Sequence, residues 1–157
     1  MSPASNMAVI TSFLDPGELT DGNLRLVLKA RIAATPDRGW VPMYRFDITA
    51  DGARVGGIDF RLGASDFIVR FAGQIGYGVD PRHRGHRYAA RALRLLAPLA
   101  RAHGLIPLWI TCNPDNLASR RTCEIAGAEL VEIVDLPRDC DMYAKGDRQK
   151  CRYRLSL

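Results

Sequence analysis

The stretch VDPRHRGHRYAARALRLLAPLARAHG, Val79 to Gly104, decides how the rest of the chain is read. It predicts the end of a strand, a basic turn around Gly85 and then a long helix. Tyr88, Ala89, Ala92, Leu93, Leu95, Leu96, Leu99 and Ala100 recur at helical spacing and form one wide apolar face. Arg87, Arg91, Arg94 and Arg101 fall on the opposite stripe. Pro98 must bend or interrupt this helix, and Gly104 is placed to end it. A strand–turn–helix with free backbone amides at the helix start is a seat for a phosphate group. Arg82, Arg84 and Arg87 add positive charge at the same place.

Upstream, Asp15-Pro16-Gly17 and Asp21-Gly22 are turn signals within Leu14–Asn23. Leu24–Ile32 alternates as a strand, and Thr35–Pro42, with two prolines and Gly39, is a loop. Met43–Ala50 alternates again, and Asp51-Gly52 is a two-residue hairpin signal into Arg54–Leu62. After a turn at Gly63–Asp66, a fourth strand is expected over Phe67–Val79. Its three glycines, Gly73, Gly76 and Gly78, signal a bulge or the close approach of another backbone or a ligand.

Downstream, Ile106–Cys112 is a short apolar strand, giving a strand–helix–strand unit with parallel strands. Asn113-Pro114 is a helix-start signal, and Gly127 fits the cap at the other end. Glu129–Leu136 is a strand, Pro137–Asp147 a polar loop, and Cys151–Leu157 a closing strand. The expected fold is α/β (α+β): an antiparallel meander, then strand–helix–strand, in a mixed sheet of about six or seven strands flanked by helices.

The 157 residues fit a single domain over 1–157, with 1–8 flexible. No apolar run reaches the roughly 18–20 residues a membrane helix needs, and no signal-peptide pattern opens the chain, so the cytoplasm is the expected location. Cys112, Cys123, Cys140 and Cys151 lack C-x-x-C spacing, which predicts reduced thiols and no metal site. The net charge of +5 comes from scattered arginines without basic–aromatic alternation; it permits nucleic-acid binding without arguing for it, and a polyanionic small cofactor explains it about as well.

The run Val79-x-Pro81-x-x-Arg84-Gly85-x-x-Tyr88-Ala89 ahead of an apolar helix resembles the coenzyme A-binding signature of the GNAT superfamily of N-acetyltransferases. Arg82 and Gly85 meet the pattern Arg/Gln-x-x-Gly-x-Gly/Ala, with Arg87 in place of its second small residue. Asn116-x-x-Ser119 followed by Gly127 is similar to the family's second motif. The resemblance covers residues 20 to 157. It departs at Cys123, which stands where many members carry a tyrosine.

This resemblance implies an acyl-CoA-dependent N-acyltransferase that moves acetyl from acetyl-CoA to a primary amine by direct attack in a ternary complex. The alternative is a catalytically weak acyl-CoA-binding module. Pantetheine would pair with the strand near Val79. Arg82, His83, Arg84, Gly85, His86, Arg87 and Tyr88 would hold the pyrophosphate, and Asn113, Asn116 and Ser119 would line the thiol end. Asn113 is equally readable as a cap. Proton transfer has three candidates: Tyr77, Cys123 and Tyr143. Tyr77 also reads as a tyrosine packed on the helix, and Cys123 as a small buried hydrophobe. Asp59, Glu124 and Glu132 are candidate bases, alongside a water chain. The acceptor groove would be built from Thr35–Pro42 and Pro137–Lys150. A homodimer through the closing strands is a further family expectation.

Overall fold

The computed structural model describes residues 12–35, 37 and 40–156. The flexibility expected of residues 1–8 falls outside them. Five strands form one antiparallel sheet in chain order: β1 (Leu19–Asp21), β2 (Leu24–Ile32), β3 (Met43–Ala50), β4 (Ala53–Arg61) and β5 (Ile75–Val79). A second sheet of three strands runs β6 (Leu108–Cys112), β8 (Gln149–Leu155), β7 (Glu129–Asp135). The helices are α1 (Tyr88–Leu95), α2 (Ala97–Ala102), α3 (Leu117–Ala126) and α4 (Asp141–Ala144). The short β1 lies inside the segment expected to be turns only.

Alternation builds the first sheet. Leu24, Leu26, Tyr44, Phe46, Ile48, Val55, Ile58 and Phe60 face inward and are buried, in one core with Ala92, Leu93 and Leu96 of the helical layer. Each large side chain so buried contributes about 1.5–3 kcal/mol. Lys29, Arg45, Asp47 and Asp59 face outward in ion pairs. Asp51 and Gly52, both at positive φ (52° and 82°), close the β3–β4 hairpin as a primed turn, as Asp-Gly predicts.

The long helix is broken at Leu96, with Pro98 exposed in the first turn of α2. The arginine stripe is not merely solvated. Arg91 donates to the Asp21 carboxylate at 2.8 Å and also to the Asp21 carbonyl, and Arg94 caps α3 at the Ala126 carbonyl (3.2 Å). Both therefore fasten α1 to its neighbours.

The expected strand over Phe67–Val79 is half wrong. Ile68–Ala72 is a π-helical turn, and the strand begins only at Ile75. Ser65 Oγ accepts the Ile68 N–H (3.3 Å), and Gly73 at φ 76° ends the turn. A Cβ on Gly73 would meet Thr111 N at 3.0 Å, so close approach, not a bulge, explains that glycine. The β4–β5 register runs without a shift. Gly56 explains the other close contact: its Cβ would lie 2.2 Å from the Gly78 carbonyl oxygen.

The parallel strand–helix–strand unit is not closed by a ladder. β5 and β6 belong to separate sheets, bridged at Gln74. The Gln74 N–H donates to the Trp109 carbonyl (2.8 Å), and the Trp109 N–H donates to Gln74 Oε1 (2.9 Å). Gln74 Nε2 donates to the Gly63 carbonyl (2.9 Å), so this fully buried side chain has its polar atoms satisfied. Beyond Gln74 the two strands enclose a cleft.

Asn113-Pro114 does not start a helix. Asn116 is the N-cap of α3, its Oδ1 accepting the Ser119 N–H at 3.1 Å. Asn113 is instead held by Asp147 and Lys150. The polar loop over Pro137–Asp147 contains the short α4.

Candidate active site

The cleft between β5 and β6 has a volume of about 250 Å³. Ile75, Gly76 and Tyr77 line one bank, Thr111, Cys112 and Asn113 the other, with Asn116 and Ser119 of α3 and Lys150 of β8. The β5 bank presents open backbone. The Arg61 N–H donates to the Gln74 carbonyl (2.7 Å) and the Asp80 N–H to the Val55 carbonyl (2.8 Å). Bonding residues alternate in an antiparallel ladder, so Gly76 and Gly78 bond to β4. Ile75, Tyr77 and Val79 then turn their N–H and C=O groups to the other edge, toward β6. The Val79 carbonyl already accepts the Arg84 guanidinium at 3.2 Å.

This open edge leads directly into the basic turn. Pro81–His83 forms a 3-10 turn, and α1 starts at Tyr88. The N–H groups of Gly85, His86, Arg87 and Tyr88 have no acceptor among the described residues. Arg82, Arg84, Gly85, His86 and Arg87 are exposed, His83 and Tyr88 half-buried. Gly85 sits at φ 91°, and no atom lies within 4 Å of where its Cβ would be. Arg87 occupies the left-handed region (φ 61°), the conformation that a glycine at this place in the signature would adopt without strain. His86 stacks on Tyr88, ring centroids 5.2 Å apart.

At the floor of the cleft, Tyr77 Oη lies 2.7 Å from Ser119 Oγ, 3.3 Å from the Ser119 carbonyl and 3.8 Å from Cys123 Sγ. Burial, reinforced by the neighbouring Cys123, pushes the Tyr77 phenol well above its ordinary value of 10. Burial pushes the Cys123 thiol up to about 12. Cys123 is fully buried and stays a neutral thiol, close to the hydrophobe of the simpler reading. Cys112 lines the cleft directly across the ladder from Cys151. All four cysteines are free.

The other sequence candidates are scattered. Tyr143 does not line the cleft; its ring lies under the Arg148 guanidinium, 3.8 Å away, while Met142 takes the lining position. Asp59 is held by Arg45 (3.0 Å) on the outer sheet face, and Glu132 by Arg152 (2.6 Å). Glu124 is exposed on α3. None of these three carboxylates lines the cleft. Two cations that do, Arg61 and Lys150, were not singled out, because spacing alone does not show which outward-facing charge has a partner. Among the described residues no group of three or more His, Cys, Asp or Glu is placed to hold a metal, and no helix is long and apolar enough to cross a membrane.

A family model described as an acetyltransferase (GNAT) domain matches residues 4–129. The chain belongs to the GNAT acetyltransferase family. Among solved structures, the RimL ribosomal L7/L12 α-N-protein acetyltransferase in complex with coenzyme A, there disulfide-linked to a cysteine, is similar at a TM-score of 0.63. Identity is 14%, covering 89% of this chain and 98% of that one. The acetyltransferase from Salmonella typhimurium that modifies the N-terminal serine of ribosomal protein L7/L12 gives 0.56 at 19% identity, covering 77% and 66%. The microcin C7 self-immunity acetyltransferase MccE, solved with acetyl-CoA and AMP, gives 0.55 at 18%, covering 73% of this chain and 61% of that one. The GNAT chain thus spans about three-fifths of the MccE chain. At these identities the likeness is one of fold. No curated protein matches the chain in sequence.

Proposed function

We propose that this GNAT chain transfers acetyl from acetyl-CoA to a primary amine by direct attack in the cleft between β5 and β6. The observation that carries this is the continuity of one open edge with one anion seat. The outward-turned N–H and C=O groups of Tyr77 and the N–H of Val79 run into the unpartnered amides of Gly85 to Tyr88. Pantetheine amides pair with such an edge as an added strand does. The amides and Arg82, Arg84 and Arg87 hold the pyrophosphate, with His83 and His86 beside them. Asn113, Asn116 and Ser119 line the thiol end.

Acetyl-CoA supplies an activated acyl group and a good leaving thiolate. The Tyr77 or Val79 N–H faces the cleft to steady developing negative charge. Tyr77 keeps its proton, since its phenol is held far above the thiol range near 8.5, and it offers a hydrogen bond to the departing sulfur. Cys123 and Tyr143 take no part. No carboxylate lines the cleft among the described residues, so the amine proton passes to water. The test is coenzyme A release from acetyl-CoA across a broad amine panel. Turnover of one amine class, with acetylated product in equal amount, is the expected result. Acetyl-CoA binding without any transfer would reduce the protein to a binding module.

A further inference from the structure

Arg61 is a cation without a counter-ion in the cleft. Its Nη1 donates to the Gly73 carbonyl at 3.1 Å, and no carboxylate among the described residues lies within 4 Å. The nearest acidic influence, Asp59, is already bound through both oxygens to Arg45, at 3.0 and 3.3 Å. Burial disfavours the charged guanidinium, the cost expected when a cation leaves water without a partner.

Across the cleft, Lys150 is in the opposite condition. It is 8% exposed, but its Nζ donates to Asn113 Oδ1 (2.6 Å) and lies 3.3 Å from Asp147 Oδ2. Asp147 in turn accepts from Asn113 Nδ2 at 2.9 Å. One cation lining the cleft therefore carries its own anion and the other does not. The remaining polar lining is neutral: Tyr77, Thr111, Asn113, Asn116 and Ser119.

The position of Arg61 separates it from the phosphate seat. It pairs with Gln74, at the start of β5. Its guanidinium reaches along β5 to within 3.5 Å of where a Cβ on Gly76 would stand. The basic turn opens after Val79, three residues further on, which at about 3.3 Å per residue is roughly 10 Å of strand. Arg61 thus serves the deep end of the cleft.

We propose that Arg61 is a specificity-determining residue, and that the acceptor is an amine bearing a carboxylate, which the guanidinium fork binds. A planar fork suits a two-oxygen anion better than a point charge does. The inference rests on the acyl-transfer reading above and names the acceptor class for that site.

The experiment loads the protein with coenzyme A, measuring that affinity separately. It then titrates calorimetrically a panel of N-acetyl amino acids with small, polar and aromatic side chains, each against its own carboxamide. These product-like probes carry no free amine, so amine basicity does not enter. The acids are expected to bind at least ten-fold more tightly than the amides. Arg61→Gln should erase that difference and leave coenzyme A affinity within two-fold, while Arg61→Lys keeps part of it. Equal binding of acids and amides, no binding of either, or a preference that survives Arg61→Gln overturns the proposal. Failure of coenzyme A to bind would instead overturn the acyl-transfer reading. The acid–amide comparison on the unloaded protein would then still decide whether the cleft selects carboxylates.

Discussion

The Tyr77 phenol meets the Ser119 hydroxyl at 2.7 Å, tying β5 to α3 across the floor of the cleft. Tyr77 comes from the strand with the open edge, and Ser119 from the first turn of the helix capped by Asn116. Replacing the phenol by Phe removes the hydrogen bond and keeps the ring. Tyr77→Phe is expected to lower kcat by about 10–100-fold, below the roughly 100- to 10,000-fold of full proton transfer, because the phenol hydrogen-bonds the departing sulfur and keeps its proton. Loss of one part-buried hydrogen bond costs about 1 kcal/mol, or about 2–4 °C in Tm at this size. Single-turnover acetyl transfer and a thermal melt measure both.

The raised phenol also fixes a pH dependence. Tyr77 is neutral in the folded chain at a pH where an unfolded tyrosine, near 10, ionises. The folded state then holds the extra proton, so this group's stability is complete below pH 10 and is lost as pH rises above it. Denaturant melts from pH 8 to 11 should show a steeper alkaline loss in the wild type than in Tyr77→Phe.

Gly85 separates charge from shape. Space is open at its Cβ, but φ 91° strains any L-residue. Gly85→Ala should lower Tm by a few degrees, with strain of about 1–2 kcal/mol, and weaken acetyl-CoA only modestly. Gly85→Asp adds a negative charge beside the amides and should abolish calorimetric binding while the circular dichroism stays native. Binding left intact in a folded Gly85→Asp would remove the turn from the site.

Gly56 and Gly78 form a pair with opposite expectations. A Cβ at Gly56 would sit 2.2 Å from the Gly78 carbonyl oxygen, whereas one at Gly78 meets nothing within 4 Å. Gly56→Ala must push β5 away from β4 and should cost about 3 kcal/mol, the upper part of the usual range for overpacking. Gly78→Ala should melt within about 2 °C of the wild type, a shift of less than about 1 kcal/mol.

His103 carries an acid-side signal. Its ring hydrogen-bonds Tyr44 Oη at 2.7 Å and sits against Phe60, and burial lowers its basicity below the ordinary 6.5. The unfolded chain therefore takes up this proton first. The stability involved is full above pH 6.5 and falls as the pH drops through the lowered value. His103→Gln should flatten that part of the stability curve in urea titrations from pH 7.5 to 5.

Much of the frame was legible because alternation and turn chemistry are local. Asp51-Gly52 fixed a hairpin, and Gly127 fixed the end of α3. The basic turn ahead of α1 was legible for the same reason: its glycine, its arginines and the helix behind it are contiguous. What escaped depended on partners far along the chain. Ile68–Ala72 looked extended because nothing local shows that Gly73 must lie against Thr111, or that Arg152 of β8 would hold the Val69 carbonyl at 3.2 Å. Asn113 had every local mark of a cap but was taken by Asp147 and Lys150, more than thirty residues away. Arg61 matters through a missing counter-charge, a property of the folded surroundings alone.

Gln74 gives the seam between the two sheets a single closed tooth. One rung of its contact with Trp109 is main chain to main chain, and the other is completed by a side-chain amide standing in for a peptide group. A side-chain amide cannot pass the pattern on to the next residue as a peptide does, so the zip stops there. The slot between the two sheets thus begins where the reach of that glutamine ends.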